Sequence, residues 1–521
     1  MLRLLLLIGL LATLPAEGQY WQQRASYRIG VRLDDREQRL RGSLELTYVN
    51  GSPDTLRYLW IHCWPNAYKD ARTAFAKQLA GEKGGKSRLR AIRDKGSMDS
   101  LRFWVNGVEA RTEPHPEWSD VLKLVLPAPL TSGDSVQVRT GFRVQLPTYN
   151  SRMGHSGKSY MICQWYPKVA VYDRKGWHPM PYLDRGEYYN DFGDYNVSIT
   201  LPGAYVVGAT GVLQTEAERE RYIALGDANR SGKGTPKAYR NTAMEKTLSF
   251  LARNVSDFAW FADRDFLIEH DRMPLGDSSV DLFTYHHPGA HESWQGSTAF
   301  LRDALTQYSG WLGAYPWPVA QAVEGPYNDM SGGMEYPMIA LISVPGAEDS
   351  TLDVTIAHEA GHNWLPMIVG SNERDHAWMD EGLNTWLEHL YSARKYGTFG
   401  GANTMGAPFY LRQDPDALRR WGYAQLSAGV RTRAAVDAPS ADFDSESDYN
   451  EAVYDKAALW LFRLEKTYGQ EALLQALKRY FNEWKFRHPY PEDLQASLEA
   501  SLNAGLQKWF EALRRKGRFA E

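Results

Sequence analysis

Across residues 26–201 apolar and polar residues alternate with a period of two. Tyr27, Ile29, Val31 and Leu33 alternate with polar neighbours, as do Leu44, Leu46 and Tyr48, then Val136 and Val138, then Tyr195, Val197, Ile199 and Leu201. Successive side chains of an extended chain face opposite ways, so this pattern predicts half-buried antiparallel strands. A basic run at 72–96, with Lys77, Lys83, Lys86, Arg88, Arg90, Arg93 and Lys95 among glycines, interrupts it and reads as a solvated loop. Residues 226–241, rich in Gly, Lys and Arg, read as a second surface loop. After Phe266 the period becomes helical, at 291–312, 352–365, 382–396, 456–468 and 491–514, with Pro366, Gly397 and Gly469 as natural stops. Residues 334–344 read as an extended segment interrupted by Pro337, and the acidic run at 437–450 as a loop. The expected fold class is multidomain β plus α+β, with an antiparallel β domain over residues 19–263 and a mainly helical domain over 264–521.

The start of the chain changes the picture of where it works. Arg3 precedes an apolar run from Leu4 to Leu14, followed by Pro15, Ala16, Glu17 and Gly18. One early cation, a short apolar core and small residues predict a signal peptide over 1–18, hence export to a periplasm or beyond. The run is shorter than the roughly 20 residues a membrane span needs. With 59 Lys and Arg against 63 Asp and Glu, the formal charge of -4 argues against a nucleic-acid partner. Aromatics at 13%, including 18 Trp, fit either a β core with large side chains or a sugar- or peptide-binding face. Cys63 and Cys163 form one disulfide in an oxidising compartment or stay as two buried thiols, and they are too few for a zinc site of their own.

The decisive chemistry is His358-Glu359-Ala360-Gly361-His362 inside a predicted helix. Imidazoles at i and i+4 project from one helical face, one turn apart, and chelate a single Zn²⁺ without backbone distortion. Glu359 lies beside the metal position, where a carboxylate takes a proton from bound water. A catalytic zinc needs a third protein ligand, and Glu381 opens the next predicted helix nineteen residues after His362. Chance produces this combination in roughly one such chain per thousand, so a metal site is the reading.

These residues resemble the gluzincin zinc peptidases, specifically the aminopeptidase N and leukotriene hydrolase group, peptidase family M1. Gly332-Gly333-Met334-Glu335-Tyr336 is similar to the family's Gly-x-Met-Glu-Asn motif, with Tyr336 in place of Asn. Tyr454-Asp455-Lys456-Ala457 is similar to its Tyr-Glu-Lys-Gly segment, and the run from Asp375 to Gly382 looks like the leukotriene hydrolase branch. The resemblance implies a saddle-like β domain, then a thermolysin-like peptidase domain, in a short form without the family's large C-terminal helical domain. It implies one Zn²⁺ on His358, His362 and Glu381, Glu359 as general base and Tyr454 as oxyanion donor. By the same resemblance Glu335 binds the substrate's free α-amine, Gly332 and Gly333 let the backbone edge approach the substrate, and Gln164 reaches into the pocket from the β domain. The implied activity is removal of N-terminal residues from peptides.

Other side chains carry two readings each. Asp380 orients a metal ligand or caps a helix. His286, His287 and His291 form a second metal cluster or ordinary structural histidines. His376 lies near the site or has a structural role. Competing functions are a zinc endopeptidase, favoured if Tyr336 disturbs amine capture, and a peptide- or glycan-binding protein on a peptidase scaffold.

Overall fold

The computed structural model describes residues 20–231, 235–327, 332–347, 349–400, 407 and 409–519. The stretch read as a signal peptide therefore lies outside the described residues. An eight-stranded sheet dominates the first half, flanked by two four-stranded sheets. Strand Arg24–Asp34 lies inside the large sheet, where Tyr27, Ile29, Val31 and Leu33 are all buried and their neighbours are not. It pairs antiparallel with Arg39–Val49, placing Tyr27 opposite Leu46. On its other side it pairs parallel with Gly193–Leu201, Tyr27 opposite Tyr195. That parallel contact departs from the all-antiparallel expectation. Alternation reports which face is buried, whereas direction follows from the long excursion between the two strands.

The basic run is not a loop. It folds into two short helices, Ala74–Gly81 and Gly85–Ala91. Phe75, Ala76 and Leu79 supply a buried face, and the Thr73 side chain caps the first helix by accepting from the Ala76 amide. Gly84, at φ 78, turns the chain between them. Further along, helix Glu216–Arg230 reaches into the segment read as a second loop, and Glu446–Asn450 is a short helix within the acidic run. Two expected helices are each broken, at Gly296 (φ 80) and at Asn503 (φ 50). Helices Pro415–Gly429 and Gln470–Trp484 occupy stretches that carried no helical expectation. Cys63 and Cys163 are both free buried thiols.

Strand Trp260–Asp263 belongs to a sheet of the β half, and Leu267–Leu275 opens a separate five-stranded sheet. That sheet ends in Gly333–Tyr336, an edge strand antiparallel to Ile339–Ile342. Helix Asp349–Gly361 packs on both of these strands and against helices Thr298–Trp311 and Glu381–Tyr396. Leu352, Val354, Ile356, Ala357 and Ala360 are buried around its circumference, so the helix is a core element rather than an amphipathic one. No helix of the described residues is long and apolar enough to cross a membrane.

Candidate metal and catalytic site

His358 and Glu359 lie in the last turns of helix Asp349–Gly361, and His362 follows its end with its amide still bonded to the His358 carbonyl. Glu381 is the first residue of helix Glu381–Tyr396. Two glycines set the approach of these elements. A Cβ on Gly361 would fall 2.2 Å from Asn384 Oδ1 on that second helix, and one on Gly382 would fall 2.3 Å from Ala457 Cβ. The second contact brings the segment carrying Tyr454 against Glu381. That segment, Glu451–Lys456, is a turn of π-helix leading into Ala457–Tyr468. The Tyr454 hydroxyl donates to Glu381 Oε1.

The three expected ligands converge. His358 Nε2 and His362 Nε2 are 3.1 Å apart, and Glu381 Oε2 lies 3.4 and 3.3 Å from them. The opposite ring nitrogens are tied down: His358 Nδ1 to Glu388 at 2.9 Å, His362 Nδ1 to Asp380 at 2.6 Å and to the Leu365 carbonyl at 3.0 Å. With Nδ1–H donating to these acceptors, each Nε2 presents its lone pair to the common point. Glu381 Oε2 is buried with no hydrogen-bond partner among the described residues. Two imidazoles and one carboxylate with such an orphaned oxygen fit a tetrahedral zinc site with one open position. Burial opposes charge on His358, yet the Glu381 and Glu388 carboxylates beside it outweigh burial and raise its pKa to about 10. The surroundings are arranged for positive charge at this point. Asp380 makes no capping bond to its helix, so its contact with His362 decides between its two readings.

Glu359 is buried, and burial lifts its carboxyl to about 7 against the pull of both imidazoles. A group balanced near neutrality is suited to take and return a proton. Its carboxylate fills the space beside Gly333, where a Cβ would come within 2.4 Å of Glu359 Cδ and Oε1. Gly333 therefore makes room for Glu359, and it also lines the cleft. Gly332 has ordinary clearance and lines the cleft. Burial, then the nearby Glu381 carboxylate, keeps the Tyr454 phenol protonated well past its usual range.

A cleft of about 380 Å³ opens over these groups, with His358, Glu359, His362, Glu381, Tyr454 and Glu335 in its walls. Glu335 sits on the edge strand, and burial followed by Glu187 raises its carboxyl well above the usual range. Among the described residues no cation pairs with it. Gln164 is not among the residues lining this cleft. It adopts φ 49, accepts a hydrogen bond from the Tyr336 hydroxyl at 3.2 Å, and lines a smaller cavity behind Glu335. Gln164 is thus tied to the tyrosine that stands at the family's asparagine position.

Sequence reasoning missed Glu388, Glu187 and Glu373. Glu388 lies seven residues after Glu381, two turns along the same helix face, and that spacing was the available signal. Glu187 lines the cleft, held by the buried Arg152 guanidinium, and Glu373 has a carboxylate oxygen within 4.8 Å of those of Glu335 and Asp380. Neither has a local pattern. His376 donates its interest elsewhere, with Nδ1 2.6 Å from Asp437.

Residues 304–512 match the peptidase family M1 domain. The chain carries an M1 peptidase domain. Leukotriene A-4 hydrolase of Xenopus laevis is 26% identical over 195 residues, which are 36% of this chain and 30% of that protein. The match thus spans under a third of that relative's length. Among solved structures, an M1 zinc metallopeptidase from Deinococcus radiodurans superposes with a TM-score of 0.64 at 17% identity, covering 96% of each chain. Legionella pneumophila aminopeptidase A superposes at 0.65 and 13% identity, covering 96% of this chain and 50% of that one. At such identities the likeness establishes the two-part fold: a β-sheet domain followed by the helical peptidase domain. A mutant of the Deinococcus enzyme is bound to a Tyr-Ser-Ala substrate.

Proposed function

We propose that this chain is an exported, zinc-dependent aminopeptidase that removes residues from the free N-termini of peptides. We also read residues 1–18 as its signal peptide, with the β domain over 19–263 and the catalytic domain over 264–521. The observation that carries the activity is the convergence of His358 Nε2, His362 Nε2 and the unpartnered Glu381 Oε2 beside Glu359. His358, His362 and Glu381 would hold zinc, which when bound acidifies a water and polarises the scissile carbonyl. Glu359 accepts the water's proton and delivers it to the departing amine. Tyr454 donates its phenolic hydrogen towards the oxygen that gains charge in the tetrahedral state. Glu335, buried without a cation, pairs with the substrate's α-ammonium and fixes cleavage at the first peptide bond. The Tyr-Ser-Ala substrate bound to the Deinococcus mutant supports this reading, as does an edge strand available for backbone pairing with an extended peptide.

The test is the initial rate of zinc-loaded protein on aminoacyl anilides with free or acetylated α-amines. Hydrolysis restricted to free amines is expected. Equal cleavage of both sinks amine anchoring and favours an endopeptidase, and silence on both with zinc bound favours a binding scaffold.

A further inference from the structure

The basic run has a place that the catalytic site does not account for. Residues 69–95 hold nine basic side chains against three acidic ones in a chain whose formal charge is -4. All three acids are already engaged: Asp70 by Arg72, Asp94 by His155 and Glu82 by Arg185. Lys77, Lys83, Lys86, Arg90 and Arg93 are exposed and pair with no carboxylate among the described residues.

The hairpin is fastened to the wall of the cleft. Gln78 Oε1 accepts from the amides of Asp184 and Arg185 at 2.8 and 3.0 Å, and Arg88 pairs with Asp184 at 2.9 Å. Glu82 binds Arg185 and also accepts from the Glu446 amide. Asp184, Arg185 and Glu446 all line the cleft. The floor of that cleft is acidic, with Glu335, Glu359, Glu381 and Glu388. An acidic floor and a cationic flank match a peptide that enters amine first and trails negative charge.

We propose that this helical hairpin is a cationic rim of the substrate cleft that favours peptides carrying acidic residues beyond the scissile bond. The inference rests on the aminopeptidase reading. Uncompensated surface charge beside a low-dielectric cleft raises local concentration of the opposite charge, and salt abolishes the gain. Anchoring at the cleft favours a peptide over a nucleic acid or an anionic membrane.

The test compares kcat/KM for Leu-Ala-Gly-Glu-Glu with Leu-Ala-Gly-Gln-Gln at low and high salt. It uses the wild type and a Lys83→Glu, Lys86→Glu, Arg90→Glu variant whose melting temperature and rate on leucine anilide match wild type. Expected is an advantage of about tenfold for the acidic peptide at low salt, lost at high salt and reversed in the variant. No advantage, or one surviving charge reversal, overturns the rim. Binding of the same labelled peptides to Glu359→Gln protein separates the two readings: preferential binding without turnover keeps the rim and removes the aminopeptidase. Salt-sensitive binding to anionic vesicles or oligonucleotides, lost in the variant while the peptides are bound alike, assigns the patch to another partner and overturns the proposal.

Discussion

Two histidine clusters in this molecule look alike in composition and differ in what their nitrogens face. At His358 and His362 each Nδ1 is spent on an acceptor, and both Nε2 atoms meet a carboxylate oxygen that has no other partner. In the second cluster, His287 spends both nitrogens, on Glu324 at 3.0 Å and Asp263 at 3.2 Å. His286 turns Nε2 to His291 at 3.1 Å, with the rings stacked and Trp294 beside them. Burial drives His286 down to about 3, so it is neutral at physiological pH. Among the described residues, no group of three potential ligands that converge closely enough to hold an ion includes these histidines. A metal centre is thus defined by lone pairs left converging, not by the number of imidazoles.

The contrast sharpens through substitution. Glu359→Gln should retain zinc and lose about 10²–10⁴-fold in kcat, measured on a leucine anilide. Loss of metal instead would mean that Glu359 acts structurally. Tyr454→Phe should cost about 10²–10³-fold in kcat with KM little changed. Because the Tyr454 hydroxyl also touches Glu381, zinc content must be measured beside the rate. Asp380→Asn and Glu388→Gln should each weaken zinc affinity by about 10–100-fold, seen by chelator competition. Equivalent changes at Asp263 or Glu324 should leave it untouched.

The smallest effect concerns pH. Burial disfavours charge on His287, but hydrogen bonds to Asp263 and Glu324 overcome this and raise it to about 9. A histidine raised on folding adds stability that is complete below its unfolded value, about 6.5, and lost as pH rises through the folded one. His287→Gln should therefore lower the melting temperature most near pH 6, with the gap closing by pH 10. A pH-independent gap would assign the residue a packing role only.

Much of this is readable in the sequence. Period-two alternation located the strand centred on Ile29, and the spacing of His358, His362 and Glu381 picked out a candidate metal-holding trio that the structure brings together, because both signals are local geometry. The parallel pairing with Gly193–Leu201 was not readable, and the approach of Tyr454 was expected from resemblance alone, not from local spacing. They depend on elements distant in sequence, and on Gly382 admitting Ala457. The hairpin was misread because its charges hide a short apolar stripe, Phe75 and Leu79, that needs the β domain to bury it. The contact of Gln164 with Tyr336 was not readable, because only tertiary packing brings the two together.

The most direct test of the central claim is anomalous diffraction at the zinc edge from crystals of the zinc-loaded protein. The account predicts one peak, about 2.0–2.1 Å from the Nε2 atoms of His358 and His362 and in contact with Glu381. A peak at His286 and His291, or none between the three cleft ligands, would contradict it.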